Sequence, residues 1–198
     1  ANGPRALGVA GEYGDGLVSG FNENPEALAY HLGMTRDGAV AVQRELPRDF
    51  KVATVTTAVV LRPGETLKSD RVIDSCGSQV ACVLHFVYEI VRHTKNEEMI
   101  PEFLHGIWSE YCDYVANMET PSDRRYLQMH EGHCTYHVPA ERRFITPEAI
   151  EGVCLVGDPK EIAEEIQLLI DHIDEIKTIS DKLLEINDEI QVKDNDMV

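Results

Sequence analysis

One short stretch in the second half of the chain is dense in side chains that could do chemistry. It reads HEGHCTYH and places His130, His133, Cys134 and His137 within eight residues. Imidazole nitrogens and thiolates are ligands that zinc prefers in proteins. A metalloprotease helix, however, carries its two histidines four residues apart, and here Gly132 interrupts a pair that is three apart. From this spacing we expect no metal site.

Two other roles for the stretch stay open. Its histidines could hold a loop together through hydrogen bonds, or Glu131 could act as a general acid or base. Glu131 offers a proton-transferring group, but a single carboxylate is more often solvated or paired, here with Arg124 or Arg125. No acid and base pair can be assigned from the sequence.

The charge of the chain excludes two classes of partner. With 18 basic and 35 acidic residues, the formal net charge is −17 at pH 7. Such a charge repels nucleic acid and anionic lipid headgroups, so we expect neither nucleic-acid nor membrane binding. The chain has no long apolar run, and its first residues lack a signal-peptide pattern, which predicts a cytoplasmic protein. Its five cysteines are odd in number and scattered, as in proteins with reduced thiols.

The first third of the sequence alternates between helical and strand patterns. We predict a short helix over Arg5–Tyr13, a strand in GDGLVSG, a helix from Pro25 to about Glu45, and a strand over Lys51–Leu61. The last of these is β-branched and apolar throughout, which predicts a strand covered on both faces. Strand, helix and strand at this spacing indicate an α/β protein with a parallel sheet.

The remainder is predominantly helical. Apolar spacing predicts helices over Ser75–His93 and Glu98–Met118, followed by a long irregular segment that lasts to Thr146. Thr146 and Asp158 are each followed by proline, the pattern of a helix start. We therefore divide the chain into residues 1–157 and a second segment of residues 158–198.

The second segment, 158–198, is acidic and amphipathic. Its apolar residues recur at alternating steps of three and four, which is typical of a helix that packs along another helix. They are Ile162, Ile166, Leu169, Ile173, Ile176, Ile179, Leu183, Ile186 and Ile190. Either a coiled coil or a helix on the surface of its own domain would produce this pattern.

The opening residues, ANGPRALGVAGEYGDGLV, resemble the strand, turn, helix and strand midway through the bacterial luciferase-like monooxygenase superfamily. That superfamily includes flavin-dependent oxidoreductases and the methylenetetrahydromethanopterin reductases that use the deazaflavin coenzyme F420. The resemblance rests on NGP at the turn, AG on the helix and DG before the strand. Residues 124–166 are similar to the late part of the same family, with its TPE helix and GDP turn.

This resemblance implies a (β/α)8 barrel that binds FMN or coenzyme F420 at the carboxyl ends of its strands. It implies cofactor contacts from Asn2, Gly3 and Pro4, and hydride transfer or monooxygenation of a small organic substrate. The HEGH stretch matches a loop that approaches the substrate side in this family, which makes His130, Glu131 and His133 candidate catalytic residues. A complete barrel needs about 250 residues, and the opening half of the family has no counterpart here. We therefore expect a partial barrel, the C-terminal half of such an oxidoreductase.

The partners expected of a half barrel are a second copy of the chain or a complementary N-terminal half. The family also follows its last helix with a glycine turn and a closing strand, whereas this chain has His172 near the expected glycine and keeps a helical pattern. An alternative interpretation is therefore a truncated, non-catalytic relative. It would act as an assembly or binding subunit through its helical C-terminus and an exposed sheet edge.

Overall fold

The computed structural model describes residues 3–21, 25–47, 49–168 and 170–171. These residues form two compact units. The N-terminal unit contains the described residues up to Val55 and those from Ala163 onward, and the central unit contains Thr56–Ile162. No helix within the described ranges is long and apolar enough to cross a membrane.

In the N-terminal unit the chain alternates between helix and strand. Its elements are α1 (Pro4–Tyr13), β1 (Gly16–Phe21), α2 (Pro25–Ala41) and β2 (Lys51–Val55). β1 and β2 pair in parallel, with Gly16 opposite Lys51. A small core is formed by Leu7, Leu17, Leu28, Leu32 and Phe50. The predicted helix and strand near the start are confirmed, and α2 begins at Pro25 as predicted but ends at Ala41, before Glu45.

The two helices of this unit pack with very little space between their backbones. A Cβ atom built on Gly11 of α1 would lie 1.7 Å from the backbone oxygen of Thr35 in α2, and one on Gly38 would lie 2.2 Å from the oxygen of Gly8. Arg44 reinforces the contact, because its guanidinium donates hydrogen bonds to the carbonyl oxygens of Gly11 and Gly14, both at 2.8 Å. The end of α1 is thereby tied to the segment after α2.

The prediction of a single strand over Lys51–Leu61 is wrong. The structure divides it into β2, in the N-terminal unit, and β3 (Ala58–Val60), which pairs in parallel with β4 (Leu155–Gly157) in the central unit. β2 has no buried residue, so it is not covered on both faces. Valine and threonine suit a half-exposed pleated surface as well as a buried one, so composition alone overstated the burial.

The central unit is largely helical. After β3 come α3 (Asp70–Thr94), α4 (His105–Ala116), α5 (Arg125–Met129) and α6 (Pro147–Val153), with β4 after α6. The buried side chains of the core come mainly from α3, α4 and α6: Val72, Cys76, Val80, Leu84, Val87, Tyr111, Val115, Ala149, Ile150 and Val153. The long buried helix that the sequence predicts is therefore confirmed, with a start at Asp70.

Two predictions for the central unit need correction. The helix predicted over Glu98–Met118 begins only at His105, and the residues before it form two short 3-10 turns on either side of Pro101. Proline has no backbone N–H and restricts the residue before it, which disfavours a continuous helix there. The segment predicted as irregular contains α5 and a 3-10 helix over Pro139–Phe144.

Both predicted helix starts are confirmed by their capping bonds. The Thr146 side chain accepts a hydrogen bond from the Ala149 amide at 3.3 Å. The Asp158 carboxylate accepts from the amides of Lys160 and Glu161, at 2.7 and 2.9 Å, and residues 159–168 are helical. Of the predicted seam, Ile162 is buried and Ile166 is exposed. Leu169 and the members of the seam after residue 171 lie outside the described residues.

These elements place the chain in the α/β class. Helices dominate, and the strands of the described residues form two parallel pairs, β1 with β2 and β3 with β4. Each pair joins strands that are separated by helix along the chain, which is the connection that parallel strands require. The predicted α/β class is therefore confirmed at this level.

A salt bridge joins the segment after β3 to the start of α3. The Arg71 guanidinium donates to both carboxylate oxygens of Glu65 and, at 2.9 Å, to the backbone oxygen of Val60. The hydrogen bond from Arg71, together with one from the Arg62 amide, lowers the pKa of Glu65 from 4.5 to about 2. The ionised carboxylate is therefore favoured in the folded state.

The first prediction concerns the close approach of α1 and α2. Replacing Gly11 with alanine inserts a methyl group where the Thr35 backbone oxygen lies, and we expect a loss of about 1–3 kcal/mol in the free energy of unfolding. Gly33→Ala is the control, because its added Cβ meets no atom within 4 Å. That variant should be neutral or more stable by up to about 1 kcal/mol. Urea unfolding monitored by circular dichroism measures the free energy of unfolding of both variants. Equal stabilities would contradict the close packing of α1 and α2.

The second prediction concerns pH. Because the folded-state pKa of Glu65 is lowered, its contribution to stability is complete above about pH 4.5 and is lost as pH falls toward about 2. Glu65→Gln should therefore lower Tm at about pH 6, and the difference from the parent should shrink on acidification. Thermal unfolding across this range tests the prediction, with the exposed Glu151→Gln as control. A Tm difference that stays constant with pH would contradict it.

Candidate functional site

Five histidine and cysteine side chains meet in the central unit. Cys82 and His85 come from α3, and His130, His133 and Cys134 come from the end of α5 and the loop after it. We call these five residues the His/Cys cluster. Two sets within it, Cys82 with His133 and Cys134, and His85 with His130 and His133, each hold their potential ligand atoms within 4.8 Å of one another.

Helical spacing explains what α3 contributes. Cys82, His85 and Glu89 stand three and four residues apart, so they lie on one face of the helix. They interrupt an apolar run, ACVLHFVYEI, whose other side chains supply much of the core. As a result His85 is only 1 % exposed and Cys82 is 5 % exposed, while Glu89 lies nearer the surface.

Tight turns in the loop position His133 and Cys134 in the His/Cys cluster. Gly132 has a φ of +74° and Cys134 a φ of +60°, both in the left-handed region. Backbone hydrogen bonds from His133 to His130 and from Tyr136 to Gly132, at 3.1 and 2.9 Å, close the turns. A side chain at position 132 would be strained by its φ and would also place a Cβ 2.6 Å from the Tyr136 oxygen. The loop is thereby folded over α3.

A buried carboxylate lies within hydrogen-bond distance of His85. Its Nε2 lies 3.0 Å from Oε1 of Glu141, which belongs to the 3-10 helix over Pro139–Phe144. Glu141 is 2 % exposed, so both groups are out of contact with water. His85 Nδ1 and Glu141 Oε2 have no hydrogen-bond partner among the described residues. Buried polar atoms without hydrogen-bond partners are uncommon in folded proteins, because they lower the stability of the folded state.

The exposed side of the cluster is also linked by hydrogen bonds. His130 Nε2 lies 3.1 Å from Oε1 of Glu89, and His130 Nδ1 lies 3.2 Å from Nδ1 of His133. His133 Nδ1 lies 3.5 Å from Sγ of Cys82, which in turn lies 3.5 Å from Sγ of Cys134. The Cys134 amide donates to the same Cys82 sulfur at 3.2 Å. The histidines therefore do hold this loop in place, which is one of the two roles expected of them.

The surroundings favour neutral forms of two members. Burial lowers the pKa of His133, and the neighbouring His130 and His85 lower it further. Burial and the hydrogen bond with Cys134 raise the pKa of Cys82 to about 11. Both shifts favour the neutral side chains, an imidazole at His133 and a thiol at Cys82.

The structure distributes the predicted site residues between two places. His130 and His133 belong to the His/Cys cluster, and Glu131 between them is exposed. Gly3 and Pro4 lie at the exposed start of α1 in the N-terminal unit, and Asn2 lies outside the described residues. The expectation that no metal binds at His130 and His133, and the proposed catalytic role of these residues with Glu131, stay predictions.

Sequence reasoning missed Cys82, His85, Glu89 and Glu141. One local signal was present, since a cysteine, a histidine and a glutamate at steps of three and four within an apolar helix would share a face. Glu141 had no comparable signal, because it is 56 residues from His85 along the chain and only the tertiary fold joins them.

The third prediction concerns the buried pair. Glu141→Ala removes the hydrogen-bond partner of His85 Nε2, and we expect the free energy of unfolding to fall by about 1–3 kcal/mol. Glu141→Gln retains a side-chain oxygen acceptor of the same size and should lose less. The exposed Glu151→Ala should change stability by no more than about 0.5 kcal/mol. Urea unfolding distinguishes the three, and equal values for Glu141→Ala and Glu151→Ala would contradict the buried contact.

The sequence matches no model of a known protein family, and no curated protein matches it.

Proposed function

We propose that this chain is the C-terminal half of a luciferase-like barrel oxidoreductase that uses FMN or coenzyme F420 on a small organic substrate. The observation that carries the proposal is the order of elements in the N-terminal unit: a short helix that starts after Gly3, a strand, a crossover helix and a parallel strand. This is the order that the resemblance of the opening residues implies. It is also the repeating unit from which (β/α)8 barrels are built.

The start of α1 fits the anionic end of such a cofactor. Gly3 is the N-cap of α1, no side chain caps the first amides of this helix within the described residues, and its first turn has no acidic residue. A Cβ built on Gly3 would meet no atom within 4 Å, so the approach to these amides is open. Backbone N–H groups at the start of a helix attract phosphate through hydrogen bonds and the helix dipole.

When bound, a flavin or deazaflavin supplies the hydride chemistry, and the protein supplies binding and orientation. In the central unit, an open groove of about 470 Å³ is lined in part by Glu89, the hydrogen-bond partner of His130. Arg92 and Arg125 line this groove, so it suits an anionic organic substrate.

A second candidate function is assembly without catalysis. The observation that favours it is the exposure of the N-terminal sheet, in which β2 has no buried residue and Val18 and Val55 are 57 % and 46 % exposed. Parallel strands are ordinarily covered on both faces. A second copy of the chain or a complementary half barrel would cover them in either function.

The fourth prediction tests the oxidoreductase. The full chain mixed with FMN or with F420 should bind one of them, seen as a change in the absorbance and fluorescence of that cofactor. Gly3→Glu places a negative charge at the start of α1 and should weaken binding by at least about fivefold. The matched control is Gly106→Glu, at an exposed and open position of α4.

A chain that binds neither cofactor would contradict the oxidoreductase, and so would equal affinities in the two glutamate variants. Light scattering on the same sample addresses the second candidate. Self-association without cofactor binding is the result expected of an assembly subunit.

A further inference from the structure

We propose that His85, His130 and His133 form a site for a divalent transition-metal ion of the zinc type, with one coordination position left open. This inference goes beyond the proposed oxidoreductase and does not depend on it, because it rests entirely on side chains of the central unit. It departs from the expectation drawn from the HEGH spacing alone, since the third ligand comes from α3.

The first support is the convergence of the ring nitrogens. The three histidines offer ligand atoms that all lie within 4.8 Å of one another. His130 Nδ1 and His133 Nδ1 are 3.2 Å apart. Two nitrogens bound to one tetrahedral zinc, at about 2.0–2.1 Å from the metal, are separated by about 3.4 Å. The loop and the helix therefore hold these two nitrogens close to the spacing that coordination requires.

The second support is the state of His85. One of its nitrogens, Nε2, is bonded to the buried Glu141 carboxylate, and the other, Nδ1, is buried without a hydrogen-bond partner among the described residues. Metal-binding histidines characteristically use one ring nitrogen for the metal and hydrogen-bond a carboxylate or carbonyl with the other. A metal ion bound at Nδ1 would give this buried atom a partner and would remove the loss of stability that a missing hydrogen bond causes.

The third support is that His130 repeats the same arrangement. Its Nε2 is bonded to Glu89, which leaves Nδ1 directed at His133. In two of the three ligands, His85 and His130, Nε2 is thus hydrogen-bonded to a carboxylate. The carboxylate raises the basicity of the imidazole and provides negative charge to balance a divalent cation. These carboxylates come from two different elements, α3 and the 3-10 helix over Pro139–Phe144.

A competing set of ligands shares His133 but uses Cys82 and Cys134. Its interatomic distances, 3.5 Å from Cys82 Sγ to both His133 Nδ1 and Cys134 Sγ, also suit coordination. The histidine set is preferred because the two sulfurs already satisfy each other and the Cys134 amide. They leave no buried polar atom without a partner, whereas the histidine set does.

The ligand type defines the ion. Neutral imidazoles suit zinc, copper, iron and nickel, whereas calcium and magnesium prefer oxygen ligands. Three protein ligands with an open fourth position are the arrangement of catalytic rather than structural zinc sites. An ion held here would bind a water molecule or a small oxygen-containing ligand at the surface of the loop.

The fifth prediction uses Co²⁺ as the probe on the full chain after treatment with a chelator. Co²⁺ should bind with a stoichiometry of about one and give the visible bands of a tetrahedral ion without a thiolate charge-transfer band, and Zn²⁺ should displace it. His130→Asn should weaken binding by at least about tenfold, and Glu89→Gln by a similar factor. Cys134→Ser and the exposed His93→Asn are the controls and should bind as the parent does.

Circular dichroism of each variant shows that it is folded, and the surface positions 89, 93, 130 and 134 keep the test independent of the buried His85. Failure to bind Co²⁺ would overturn the proposal. So would unchanged binding by His130→Asn, or a thiolate charge-transfer band that disappears in Cys134→Ser, which would assign the ion to the cysteine set.

Discussion

The central unit depends on one buried contact, that between His85 of α3 and Glu141 of the 3-10 helix. Both side chains are almost completely withdrawn from water, and such groups are tolerated only when they satisfy each other. The contact joins residues 56 positions apart. The loop that carries His130 and His133 lies between α3 and Glu141 in the sequence, so this contact and the pairing of His130 with Glu89 close it over α3.

Local signals in the sequence predicted much of the fold. Thr146 and Asp158 each cap a helix as expected, because a cap depends on residues within a few positions. The long apolar helix and the parallel pairing of strands are also present. The division of Lys51–Leu61 between two strands was missed, since it depends on which distant strand each half pairs with, and β3 pairs with β4 nearly 100 residues away.

In the candidate site, too, contacts between residues that are distant in the sequence were not predicted. The HEGHC stretch was found because its residues are adjacent, but its partners were not. His85 lies within the predicted apolar helix without any neighbouring histidine to mark it, and Glu141 carried no local signal. Spacing within one loop did not reveal the additional histidine and the two carboxylates that the fold brings to that loop. The proposed cofactor contact at Gly3 belongs to the other unit and depends on different residues.

The central claim is that His85 keeps a buried lone pair at Nδ1 while Nε2–H donates to Glu141. Long-range ¹H–¹⁵N correlation of the histidine rings in the metal-free chain, assigned with His85→Gln, tests it most directly. We predict the Nε2–H tautomer for His85, with the chemical shift of an unprotonated Nδ1. An Nδ1–H tautomer, or a ring protonated at both nitrogens, would contradict the account.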